Sequence, residues 1–202
     1  NEILNNAKIK EVVLISYGDP YIATTHLELK TRAIRDEIET KTIHSSSIVS
    51  SLIGEVGLHY YKIGKILTIM NDSKSMITPY NTIFHNLLNK AHSLILLEYN
   101  EDKSFFLSPQ NAMSLLLDVE NTQNGKIISP DTFVIVASRI GKNDQKIISG
   151  KISNLIKKEF GEPPHSIVIP GSLHFTESDA VKIVTECLDE PFDNATSVKS
   201  VS

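Results

Sequence analysis

Between Val12 and His26 the chain reads VVLISYGDPYIATTH, and this stretch limits the possible folds more than any other. Val12, Val13, Leu14 and Ile15 are four apolar residues in a row, three of them β-branched. That is the pattern of a strand buried on both faces, as in the parallel sheet of an α/β protein. Gly18-Asp19-Pro20 then predicts a stiff turn: glycine accepts positive φ, while proline fixes its own φ and biases Asp19 away from the helical region. Thr24 or Thr25 is placed to cap a helix from about Leu27 to Glu39. Strand, glycine turn and helix start in that order form the crevice in which open α/β sheets bind small ligands.

The 202 residues suffice for one large or two modest domains with a sizeable core. With 41% hydrophobic and 22% charged residues, the composition is that of a globular chain rather than a disordered or fibrous one. A net charge of −4 and the lack of a long basic run give no electrostatic footprint for nucleic acid. No apolar run reaches the ~20 residues that a membrane helix needs, and the first residues do not read as a signal peptide. One cysteine, Cys187, excludes an internal disulfide and falls in a helical pattern that predicts a buried or half-buried thiol. The cytoplasm is the expected compartment.

Further along, Lys41–His44 predicts a short strand, and Ser45, Ser46 and Ser47 lead into a helix from Ile48 that ends at Gly54 or Gly57. The serines read as capping chemistry, or as hydroxyls and amides turned toward a ligand. A link from Gly57 to Gly64 precedes a second series of elements. Lys65–Met70 starts that series; strands are then expected at 93–98, 133–138 and 166–169, and helices at 81–90, 111–119, 151–159 and 177–188, before a frayed tail from residue 189. The domain boundary is expected near residue 65, giving an N-terminal α/β lobe over 1–65 and a C-terminal α/β lobe over 66–202.

Asp19 is the most suggestive single residue. A carboxylate at the end of a buried strand accepts hydrogen bonds from ligand hydroxyls or ammonium groups, although the same residue also suits an Asx-type turn before Pro20. His26 reads as a helix-start histidine. His44, His59, His85 and His92 lack metal-ligand spacing, and with one cysteine no ordinary zinc site can be assembled. No phosphate-binding P-loop, G-x-G-x-x-G fingerprint or G-x-S-x-G elbow occurs.

Two further segments are more specific: ASRIGKNDQKI at 137–147, a strand emptying into an Arg-x-Gly turn, and FGEPPHSIVIPGSLHF at 160–175, in which paired prolines precede a histidine and a strand. Together with GDPYIATTH they resemble the diphthine synthase family, within the tetrapyrrole-methylase-like class of S-adenosylmethionine enzymes. The resemblance runs over most of residues 11–180. It implies an α/β, two-lobed, tetrapyrrole-methylase-like homodimer that folds S-adenosylmethionine into the cleft between its lobes. It further implies methylation of the modified histidine of translation elongation factor 2 on the diphthamide pathway, with neither nucleic acid nor membrane as a partner. Cofactor contacts carried over by motif fall on Asp19, Ile22, Ser47, Ile48, Leu97, Ile140 and His165, with no metal and no nucleophile.

Two departures accompany the likeness. Family members begin with a strand and a glycine-rich loop, which nothing before Lys10 supplies, and their longer aromatic-rich stretch before SLILLEY is compact here. The N-terminal lobe is therefore expected to lack its first strand and that loop. Methyl transfer from a sulfonium is an in-line displacement, so positioning and water exclusion are the main tasks. The residues leave open whether a carboxylate or a histidine accepts the proton of the attacking nitrogen. Two alternatives are a small-molecule, tetrapyrrole-type methylase with the same cleft and a catalytically silent relative serving as an interaction module.

Overall fold

The computed structural model describes residues 2–100 and 102–197. The chain divides into two compact units, 1–51 and 52–202, a division that falls earlier in the chain than the expected boundary near residue 65.

The first unit carries α1 (Glu2–Ala7), α2 (His26–Arg35) and the beginning of α3 (Ile48–Glu55). Among its described residues there is no strand, which corrects the two strands expected there. Residues 11–16 have no regular structure, with Val13 75% and Ile15 87% exposed, and 41–44 is likewise irregular. A row of apolar residues supplies the side chains of a buried strand but not the ladder partner that makes one. The turn is as expected, with Gly18 at φ +67°. Helix α2 stops four residues early because Glu37 adopts φ +58°. The amides of Glu37 and Ile38 return to the carbonyls of Ile34 and Ala33, a left-handed closure that satisfies the helix end. Helix α3 closes in the same way, with Gly57 at φ +76° and the Leu58 amide bonded to the Ile53 carbonyl.

In the second unit the order is β1 (Leu67–Ile69), α4 (Ile77–Leu88), β2 (Ser93–Leu97), β3 (Tyr99–Asn100), β4 (Phe105–Phe106), α5 (Pro109–Gln123), β5 (Phe133–Ser138), β6 (Lys146–Lys151), α6 (Ile152–Leu155), β7 (His165–Ile169), α7 (Phe175–Val184) and β8 (Glu186–Cys187). Six strands form one mixed sheet in the order β1-β2-β7-β5-β6-β8, while β3 and β4 pair apart from it. Strands β1 and β2 are parallel, β7 is antiparallel to both β2 and β5, β5 is antiparallel to β6, and β6 and β8 are parallel. One face presents Ile95, Ile167, Val136 and Ile148, and these share a core with Tyr80 and Ile83 of α4 and Met113 and Leu116 of α5.

Three expectations fail here. The helix expected over 151–159 shrinks to α6: Lys151 belongs to β6, which pairs along all of β5 with Ser138 opposite Lys146 and Phe133 opposite Lys151, and after Leu155 the chain turns, the Lys158 amide bonding the Leu155 carbonyl. The last helix ends at Val184, and Cys187 lies half-buried in β8, its strand beside Ser149. The tail is anchored rather than frayed at Asn194, which is buried and donates to the carbonyls of Phe133 and Pro170, both at 2.8 Å. Residues 198–202, expected to fray, lie outside the described residues.

A fully buried carboxylate ties distant segments of this unit together. Glu177 Oε1 accepts from the His59 amide at 2.8 Å and from His92 Nε2 at 2.9 Å; Oε2 accepts from the His174 amide at 2.8 Å and from the Lys62 ammonium. The Gly171 amide donates to His92 Nδ1, so that ring is neutral with its proton on Nε2. Burial pushes Glu177 up, but Lys62 and the three further donors outweigh it and hold the carboxyl at about 2. Because this lies below the ordinary value of 4.5, the stabilisation is complete above about pH 4.5 and is lost as the pH falls toward 2. Replacing Glu177 with Gln strands the Lys62 charge. It is expected to cost about 3 kcal/mol in urea unfolding near neutrality and to flatten the dependence on pH between those limits.

Candidate functional site

Within the first unit, the Gly18 turn and the serine segment come together. A Cβ built on Gly18 would lie 3.3 Å from the Ser46 carbonyl oxygen, so only glycine allows this approach without strain. Asp19, buried, accepts from the Tyr21 amide at 2.9 Å, which is the expected Asx-type bond. Its other oxygen lies 2.7 Å from Nδ1 of His44, a residue weighed from sequence only as a metal ligand. The Tyr21 amide first and the His44 ring next hold the Asp19 carboxyl below its usual range. Ser47 is buried at the start of α3; its hydroxyl accepts from the Val49 amide at 3.2 Å and its carbonyl from Ser50 and Ser51. Of the two aliphatic residues named beside them, Ile48 is half-buried and Ile22 is 42% exposed.

Within the second unit, the sheet brings Leu97, Ile140 and His165 to one end. His165 begins β7 and pairs with Ser138, the last residue of β5. Leu97 ends β2, one step beyond the pair Leu96–Ser166, which carries it alongside His165. Ile140 follows in the loop that leaves β5, and that loop is fastened to the Pro163–Pro164 segment. The Arg139 amide donates to the Pro164 carbonyl at 3.0 Å and the guanidinium to the Pro163 carbonyl at 3.3 Å. Arg139 also pairs with Asp144 at 2.8 Å, and the Gly141 amide bonds the Gln145 side chain. The Arg-x-Gly-x-x-Asp-Gln pattern is thus a self-bonded loop held against the residues before His165.

Directly opposed residues on antiparallel strands share a face, so Ser138 and His165 present their side chains side by side. Ser138 Oγ and His165 Nδ1 are the two buried side-chain polar atoms that find no hydrogen-bond partner among the described residues. Nε2 of His165 is 3.1 Å from the Gly161 carbonyl, which fixes the proton on that nitrogen and leaves Nδ1 as an acceptor. Burial lowers the basicity of this ring, which keeps it neutral. A hydroxyl that donates or accepts beside a neutral acceptor nitrogen suits an uncharged ligand group such as a hydroxyl or an aromatic amine. Ser138 escaped the sequence reading because its significance lies in the register that sets it opposite His165.

No group of three or more histidine, cysteine or acidic side chains among the described residues is disposed to hold a metal ion. No helix there is long and apolar enough to cross a membrane.

Residues 3–156 match the family described as Tetrapyrrole (Corrin/Porphyrin) Methylases. The diphthine synthase of Methanocaldococcus jannaschii is 39% identical over 189 residues, covering 92% of this chain and 73% of that protein. Diphthine synthase of Methanococcus maripaludis strain C5 is 38% identical over 188 residues, with the same coverage of each chain. Among solved structures, one provisionally named diphthine synthase from Entamoeba histolytica superposes with a TM-score of 0.84 at 31% identity, covering 92% of this chain and 75% of that one.

An orphaned hydroxyl costs stability when buried, whereas a bonded one contributes. Ser138→Ala is therefore expected to leave urea stability unchanged or raise it by about 1 kcal/mol, whereas Ser149→Ala is expected to lower it by about 1 kcal/mol. The Ser149 hydroxyl lies 2.6 Å from that of Thr185, which makes it the bonded control. Equal losses in both variants would show that Ser138 is satisfied.

Proposed function

Because this chain belongs to the diphthine synthase family of the tetrapyrrole methylases, which are S-adenosylmethionine-dependent methyltransferases, we propose that it methylates the modified histidine of translation elongation factor 2 in diphthamide biosynthesis. The observation that carries this reading is the meeting of Leu97, Ile140 and His165 at one end of the sheet, with the unsatisfied Ser138 hydroxyl beside them. Those three residues are scattered over 69 positions of sequence, and the fold gathers them where a ligand of mixed apolar and polar character would be held.

The donor supplies a methyl group on a positively charged sulfur, so the protein needs no nucleophile of its own. Leu97 and Ile140 would flank the flat base of an adenosyl group, while His165 Nδ1 and the Ser138 hydroxyl would bond its polar edge. In the first unit Asp19, Ile22, Ser47 and Ile48 are read as cofactor contacts on motif likeness alone. Orienting the donor and excluding water account for much of the acceleration in such a displacement, since a well-aligned intramolecular reaction gains on the order of 7–11 kcal/mol. The same reading has the protein act in the cytoplasm as a homodimer, with a protein acceptor rather than nucleic acid.

Calorimetry is expected to show S-adenosylhomocysteine binding to the full chain, with affinity lowered about tenfold by His165→Ala, as for the loss of one buried hydrogen bond. Transfer of a labelled methyl group should then favour elongation factor 2 carrying the modified histidine over a porphyrinogen. Preference for the porphyrinogen would make the protein a small-molecule methylase. Absence of binding would leave a methylase fold without its chemistry.

A further inference from the structure

We propose that Arg139 is a positioning residue for the donor: its side chain fixes the corner that carries Ile140, in a backbone conformation that lowers stability in favour of placement. This rests on the reading above that Leu97, Ser138, Ile140 and His165 border the donor. Arg139 follows Ser138 at the end of β5 and has φ +53°, a left-handed conformation that a residue with a Cβ disfavours. Strain of this kind persists only where the surroundings over-determine it.

Both the backbone and the side chain of Arg139 are held. Its amide donates to the Pro164 carbonyl at 3.0 Å, which extends the ladder between β5 and β7 one bond beyond the pair Ser138–His165. Its carbonyl accepts from the Lys142 amide at 2.9 Å, closing a turn with Ile140 and Gly141 at the corner. Gly141 has φ +83°, the value that the third position of a type II turn requires. The guanidinium reaches both sides of this corner, from Nε to Asp144 at 2.8 Å within the loop and from Nη1 to the Pro163 carbonyl at 3.3 Å. Ile140 is thereby bridged to the segment that leads into His165. Gln145 fastens the far side of the loop, accepting from the Gly141 amide at 2.9 Å and donating to Glu55 at 2.7 Å.

These contacts serve placement more than stability. The Arg139 side chain is 31% exposed and that of Asp144 59% exposed, and ion pairs so open to solvent contribute little to folding. The left-handed backbone opposes folding as well. A tether that adds little stability across a strained corner is explained by what it holds still. Without it the fold survives, but the ligand must order the Ile140 corner on binding, and that ordering lowers affinity.

The test uses the full chain with Arg139→Gly and Asp144→Asn, following urea unfolding and S-adenosylhomocysteine affinity by calorimetry. Glycine accepts this φ without strain, so Arg139→Gly is expected to unfold at the same urea concentration as the parent or a higher one while its affinity falls about tenfold. Asp144→Asn keeps the strained residue and weakens the grip on Nε, so its affinity is expected to fall about threefold with no gain in stability. In both variants the amides of 140–142 should exchange faster in the absence of ligand. Stability and affinity moving in opposite directions is the signature, because a residue that only supported the fold would lower both together. Parent-like affinity in Arg139→Gly, or a joint loss of stability and affinity, would overturn the assignment and leave the donor reading standing. A parent protein that binds no S-adenosylhomocysteine would overturn the donor reading and this assignment together.

Discussion

A strand bonded on both sides cannot slip by one residue without turning every side chain to the opposite face of the sheet. Strand β7 is in that position, paired with β2 on one side and β5 on the other, and apolar residues fill both of its faces. The pairing Ile95–Ile167–Val136 locks the register, since a slip of β7 by one residue would turn Ile167 out of the core it shares with Ile95 and Val136 and carry His165, two residues away on the same face, to the opposite side of the sheet. With it fixed, the end of β2, the end of β5 and the start of β7 must coincide. The meeting of Ser138 with His165 therefore follows from hydrophobic packing two residues away along each strand.

Polar groups complete what the apolar core begins. Glu177 collects donors from the segments before β1, before β2 and at the start of α7, and its burial is tolerated because each oxygen has two partners. By contrast, Ser138 and His165 each keep an atom unpaired in an interior where almost every polar atom is paired. The first arrangement stabilises the fold; the second sacrifices stability at the place proposed for the donor. Asp19 lies between these cases, buried and satisfied by the Tyr21 amide and by the largely exposed His44 ring.

What the sequence disclosed depended on whether an element carries its own signal. The runs FVIVAS and HSIVI are legible because a strand buried on both faces is apolar throughout, and SLILL for the same reason. KIISGK was obscured by its lysines and glycine, and Glu186–Cys187 is a strand only because Ser149 is beside it. The failure at Val12–Ser16 is the reverse: strand-forming side chains are present, but no described strand of that unit pairs with them. At the candidate site, motif likeness singled out Leu97, Ile140 and His165, which the register assembles. It passed over Ser138 and His44, whose meaning comes from partners 27 and 25 residues distant.

Hydrogen–deuterium exchange with and without saturating S-adenosylhomocysteine tests most directly whether the sheet end at Leu97, Ile140 and His165 is a ligand site. Slower exchange is predicted at the amides of 139–141 and 165–166, with β1 and α7 unaffected. Unchanged exchange at those amides, or protection found only elsewhere in the chain, would contradict the account.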